Sequence, residues 1–106
     1  MTKDNPILRK APKPRDIGEI LPNIEEKPHE YRYRLLDQTQ FDKDSFRYKK
    51  ITEGVAIITA CEKGKYIERV CQVGLKAQSL RFDKTIFSVI DTAKWISEHT
   101  INEQIR

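Results

Sequence analysis

Two cysteines, two histidines and a run of arginines alternating with tyrosines are the side chains of this 106-residue chain whose types and spacing lend themselves to chemistry. Cys61 and Cys71 admit two arrangements. If Lys63 and Gly64 are the central pair of a tight hairpin turn, Cys61 faces Tyr66 and Cys71 faces Ala56, and the thiols stand apart. If the connection is instead a wide loop from Glu62 to Val70, the cysteines become neighbours, close enough for a disulfide or for half of a metal site. The strand-like run YIERVCQV favours the first arrangement, with buried, inert thiols. No metal site is expected, because His29 and His99 are the only histidines and neither stands at ligand spacing from a cysteine.

Catalytic sets find little to build on. A Ser/His/acid or Cys/His group would have to draw on His29 or His99 with no local motif around either. Asp42 and Asp44 sit in a turn, where Asp serves the backbone. Gly18, Gly54, Gly64 and Gly74 are each isolated, so no phosphate-cradling loop exists. The expectation is a protein that is not an enzyme and carries no cofactor. A hydrolase of Asp/His type is a weaker alternative, and it requires a pocket converging on His99.

The alternation of arginine and tyrosine is the strongest functional hint. In a strand over residues 30–36, EYRYRLL, Tyr31, Tyr33 and Leu35 share one face and Arg32, Arg34 and Leu36 the other. Residues 45–51 repeat the device, with Phe46, Tyr48 and Lys50 opposite Arg47, Lys49 and Ile51. Nucleic-acid binders stack bases on aromatics and meet phosphates with basic side chains, and one sheet can present both. Arg32, Arg34, Arg47, Lys49, Lys50 and Arg81 are therefore the candidate nucleic-acid contacts. Aromatics in a core and arginines in water account for the same alternation at least as well. The net charge of +4 comes from 20 basic and 16 acidic residues, a mixed surface with no polybasic arm.

The elements that must position these groups read as an α+β domain of four to five short antiparallel strands, with one C-terminal amphipathic helix packed on the sheet. Residues 55–61, VAIITAC, are apolar on both faces and make the candidate central strand. Residues 66–73 are expected to return beside it as its partner, and Gly74 to bend the chain into a strand over residues 75–82. Ser88 and Asp91 form a capping box that opens a helix, whose stripe is Val89, Ile90, Ala93, Trp95 and Ile96. The expected core is Val55, Ile57, Leu80, Phe82, Ala93, Trp95 and Ile96. The strand near residues 31–36 is expected at a sheet edge. All five prolines fall within the first 28 residues. Residues 1–29 are therefore read as a proline-rich tail, with the domain over residues 30–106 and fraying at residues 100–106. No apolar run is long enough to cross a bilayer, and the first residues lack the apolar core of a secretory signal.

Three phrases in order carry a resemblance: Phe41-Asp42-Lys43-Asp44-Ser45-Phe46-Arg47, Gln78-Ser79-Leu80-Arg81-Phe82-Asp83-Lys84, and Ala93-Lys94-Trp95. Together they resemble a small module of phage and archaeal mobile-element proteins, sometimes found near head-maturation-protease-like proteins. The resemblance spans about two thirds of the chain, and Ile90-Asp91-Thr92 departs from the module's more acidic, alanine-rich helix start. It implies a viral or mobile-element setting, cytoplasmic in the host cell or virion-associated, and it brings no catalytic residues. The expected function is a non-enzymatic interaction module that binds a protein partner through a sheet edge, the helix or the tail. Nucleic-acid binding by the basic strand face is the alternative.

Overall fold

In the computed structural model, which describes residues 8–10, 16–101 and 104–105, ten strands and two α-helices follow the chain in a mixed order. The strands are β1 (Leu8–Lys10), β2 (Ile24–Glu26), β3 (Glu30–Arg34), β4 (Arg47–Thr52), β5 (Val55–Ala60), β6 (Tyr66–Ile67), β7 (Val70–Cys71), β8 (Leu75–Asp83), β9 (His99–Ile101) and β10 (Gln104–Ile105). The helices are α1 (Ile17–Ile20) and α2 (Val89–Glu98). The main sheet runs in the order β2-β3-β8-β5-β4 with every pair antiparallel, and β10 joins the start of β8. The α+β class, with its C-terminal helix on an antiparallel sheet, is as the sequence led us to expect.

β5 is buried at all six positions, which explains why it lacks a polar face. Its neighbour after β4 is β8, not residues 66–73. Those residues form a separate two-stranded hairpin, β6–β7, whose turn at Glu68 and Arg69 holds both residues at positive φ, 51° and 64°. The turn expected at residues 62–65 does form, with Lys65 N–H donating to Glu62 O at 3.0 Å. It leads into the small hairpin and not back along β5.

On one face of the sheet lie Tyr31, Tyr33, Val55, Ile57, Leu80 and Phe82, and α2 covers them. Val55, Ile57, Leu80, Phe82, Ala93 and Ile96 are almost fully buried, whereas Trp95 is half-buried, its ring edge-on to Phe82 at 5.5 Å. The capping box forms: Ser88 Oγ accepts from Asp91 N–H at 3.0 Å, and the Asp91 carboxylate accepts from Ser88 N–H at 3.3 Å. The buried stripe is nevertheless Thr92, Ala93, Ile96 and Ser97. Val89 and Ile90 are exposed at the first turn. Gly54, at φ +79°, makes room for the segment just before the helix: a Cβ there would lie 3.0 Å from Ile86 and Phe87.

The domain boundary expected near His29 does not coincide with a break in packing. Ile20 is 2% exposed within the main core, and Ile17, Leu21 and Ile24 pack against it. β2 adds to β3 with Ile24 opposite Tyr33, and β1 pairs with β9. Proline is compatible with this path, since Pro22 sits in a short 3-10 turn where no ladder donor is needed. Thr100, Ile101, Gln104 and Ile105 stand in paired strands where fraying was expected. The tail expected at residues 1–7 and 11–15, and fraying at residues 102, 103 and 106, lie outside the described residues.

Candidate interaction surface

Register decides which basic residues share a face, because side chains alternate along each strand. Glu25, Arg32, Arg81, Ala56 and Lys50 are successive partners across β2, β3, β8, β5 and β4, so they form one transverse row. Arg34, Ser79, Ile58 and Tyr48 form the next row of the same face. This is the face away from α2. Arg47 and Lys49 pair with Thr59 and Ile57 and so belong to the helix side of the sheet. The structure thus brings together Arg32, Arg34, Lys50 and Arg81 and sets Arg47 and Lys49 apart.

Acidic residues answer most of this charge. Glu30 bridges two guanidiniums, taking a very short hydrogen bond from Arg32 Nε and standing 3.5 Å from Arg81 Nη1. Arg34 Nη2 lies 3.4 Å from Glu25. Arg47 Nη2 donates to the Tyr66 hydroxyl at 2.8 Å and lies 5.9 Å from that ring's centroid. Lys84, outside the candidate set, holds Glu26 at 2.7 Å and caps the Tyr31 ring at 5.2 Å. Among the described residues, Lys49 and Lys50 are the two of the six whose side chains make no ion pair, hydrogen bond or ring contact. Glu30 alternates with Arg32 and Arg34 along one strand, but Glu25 lies on another, and only the register shows that it meets them.

The edge is also elsewhere than expected. β3, expected at the margin, is flanked by β2 and β8. The outer strands are β2 and β4, and of these β4 is the longer, six residues and exposed at five of them, with Tyr48 69% exposed. An edge strand of this kind presents unpaired N–H and C=O groups on its outer side.

The two cysteines form a disulfide, with Cα atoms 5.6 Å apart, so the arrangement with separate thiols is overturned. The cause is the small hairpin: Cys71 pairs with Tyr66 inside it, and the excursion from 62 to 74 returns Cys71 to the end of β5. Ser45 anchors the same place. Fully buried, its Oγ accepts from Cys61 N–H at 2.8 Å and donates to Asp42 O at 2.7 Å. His99 stacks on Trp95 at 4.0 Å between ring centroids, and its Nδ1 lies 2.7 Å from Trp95 O. His29 is exposed, and its carbonyl accepts from Lys84 N–H.

Two exposed carboxylates are held below their ordinary pKa. Asp37 accepts from the Thr39 N–H and then from the Thr39 hydroxyl, and Asp83 does the same with Thr85. Both close Asx turns that shape loops at the two ends of the sheet.

No family model, curated protein or solved structure matches the chain. Among the described residues, no helix is long and apolar enough to cross a membrane.

Proposed function

We propose that this domain is a non-enzymatic interaction module that binds an extended, acidic segment of a protein partner by adding it to β4 as a further strand. The observation that carries this reading is β4 itself, an exposed outer strand bearing Arg47, Lys49 and Lys50. Main-chain hydrogen bonds supply affinity in such an addition, and side chains supply selectivity. Lysines on an edge discourage pairing with chains of like or neutral character, and the same lysines favour an acidic strand. The engaged state of both cysteines and of His99 supports a role without catalysis.

Nucleic-acid binding is less well supported, because the six candidate residues divide between two faces and Glu25 and Glu30 neutralise three of them. Of the settings implied by the resemblance to mobile-element modules, the virion suits a disulfide better than the host cytoplasm, where thiols are kept reduced.

The test uses an extended peptide of alternating Glu and Val, the same peptide with Pro at alternate positions, and an oligothymidylate. Amide shifts and hydrogen exchange are read over residues 47–52. The first peptide is expected to protect β4 amides, the proline peptide to leave them unchanged, and Lys49→Glu with Lys50→Glu to abolish the effect. Binding of the oligonucleotide alone, with affinity falling linearly on a log-log plot as salt rises, would overturn the proposal in favour of phosphate recognition.

A further inference from the structure

The face of the sheet away from α2 carries a cleft of about 610 Å³ at the end where the turns at residues 28–30, 53–54 and 83–86 meet. Its floor is Ala56, 4% exposed, and Ala56 lies between Arg81 on β8 and Lys50 on β4 in the transverse row. Neighbouring strands are about 4.8 Å apart, so the two cations stand roughly 10 Å apart at their Cα atoms with only a methyl group between them. Two long basic side chains over a small residue make a notch the size of one carboxylate or phosphate group.

Arg81 is not at rest in this notch. Its Nη1 lies 3.5 Å from Glu30, an acceptor already claimed by Arg32, and its buried Nε has no hydrogen-bond partner. Buried donors are nearly always paired, so this guanidinium keeps hydrogen-bonding capacity that no protein group takes up. Lys50, across the floor, also lacks a partner among the described residues and is exposed. Of the acids that line the cleft, Asp83 is turned into its own loop toward Thr85, Glu30 is shared by two arginines, and Glu53 stands at the turn beside Gly54.

We infer that this cleft is a binding site for a small anionic ligand, whose carboxylate or phosphate group is held between Arg81 and Lys50 above Ala56. Arg81 swings from Glu30 toward the ligand and offers the forked pair of N–H groups that suits such anions, while Lys50 closes the site as a point charge. Ile86 and Pro28, which also line the cleft, leave room for an apolar body on the ligand. The site shares Lys50 with the proposed strand addition but differs in geometry, since its ligand lies over the sheet and not beside β4.

The experiment titrates ¹⁵N-labelled protein with inorganic phosphate and, separately, with glutarate, at constant ionic strength, and follows the Arg81 Nε–H resonance and the Ala56 amide. A saturable shift of both with either probe is expected, and the probe that saturates at lower concentration identifies the preferred group. Lys50→Gln, an exposed change that leaves the fold intact, should weaken binding about tenfold, as loss of one charge-assisted hydrogen bond does. Arg81→Gln should abolish it with an unchanged circular dichroism spectrum. Shifts that rise linearly without saturation, or that are the same in Lys50→Gln as in the parent, would overturn the inference even if Arg81→Gln failed to fold.

Discussion

Opening the Cys61–Cys71 bridge should cost this domain a defined amount of stability. The bridge closes a loop with a sequence separation of 10. In the chain-entropy account a loop of that length removes about 9 cal/mol/K from the unfolded ensemble, or about 2.7 kcal/mol at 25 °C. For a domain of this size that corresponds to a fall of about 10–20 °C in Tm. The assay is urea unfolding followed by fluorescence of Trp95, the only tryptophan, whose contact with Phe82 reports the helix on the sheet. Wild-type protein with and without a phosphine reductant gives the effect of the bond alone. Cys61→Ala/Cys71→Ala adds the loss of a sulfur from a fully buried position at residue 61, roughly 1 kcal/mol more. Reductant should leave that double variant unchanged. Hydrogen exchange should also accelerate first at residues 66–71, because a hairpin of two-residue strands has few contacts of its own. Alkylation of both cysteines in unreduced protein, or identical midpoints with and without reductant, would refute the reasoning.

Ser45→Ala should destabilise the domain by about 2 kcal/mol in the same assay, because it leaves the buried Cys61 N–H without an acceptor; a loss below about 0.5 kcal/mol would count against it. Replacing Glu68-Arg69 by Asn-Gly should raise the urea midpoint by about 1 kcal/mol of stability, since both residues hold a left-handed backbone that Asn and Gly adopt more readily; an unchanged or lower midpoint contradicts this. Asp37 and Asp83 should titrate below the ordinary value of 3.8 in carboxyl-carbon NMR. Their folded pKa values are depressed, so the stabilisation they give is full above the unfolded value and is lost as pH falls through the folded one. Thr39→Val and Thr85→Val, which remove the hydroxyl donors, should each bring the neighbouring Asp part of the way back.

Local signals carried the reading of this chain a long way where they were sufficient. The capping box at Ser88 and Asp91, the doubly apolar β5 and the alternation in β3 each depend on residues within a few positions, and each forms. What the sequence hides is pairing. Residues 66–71 have the composition of a strand, and nothing in a period of two says which strand they lie beside. The turn that folds them on themselves uses Glu68 and Arg69 in place of Asn-Gly, so the usual signature of a two-residue hairpin is absent. That one missing signal moved the partner of β5 and separated the cysteines, whereas β3 was placed at the edge because β2 lies in the stretch read as a tail. The packing of residues 17–24 was missed for a different reason: the prolines around them outweighed the little apolar surface of Ile17, Ile20, Leu21 and Ile24, which in the fold is enough to join the core.

The same dependence on pairing governs the functional surface. A set of basic residues picked by type is a set of charges with unknown faces, because one residue of slip exchanges the faces of a whole strand. In β4 the consecutive Lys49 and Lys50 fall on opposite sides of the sheet, and Ile51 bulges where the register shifts before Thr52. A broad phosphate backbone lying on one face meets only half of that charge. A single extended strand beside β4 meets both halves, since its own side chains also alternate above and below. Under the proposed strand addition, the geometry of the edge suits a partner that enters the sheet better than one that lies across it, with Lys50 on the open side beside the cleft over Ala56.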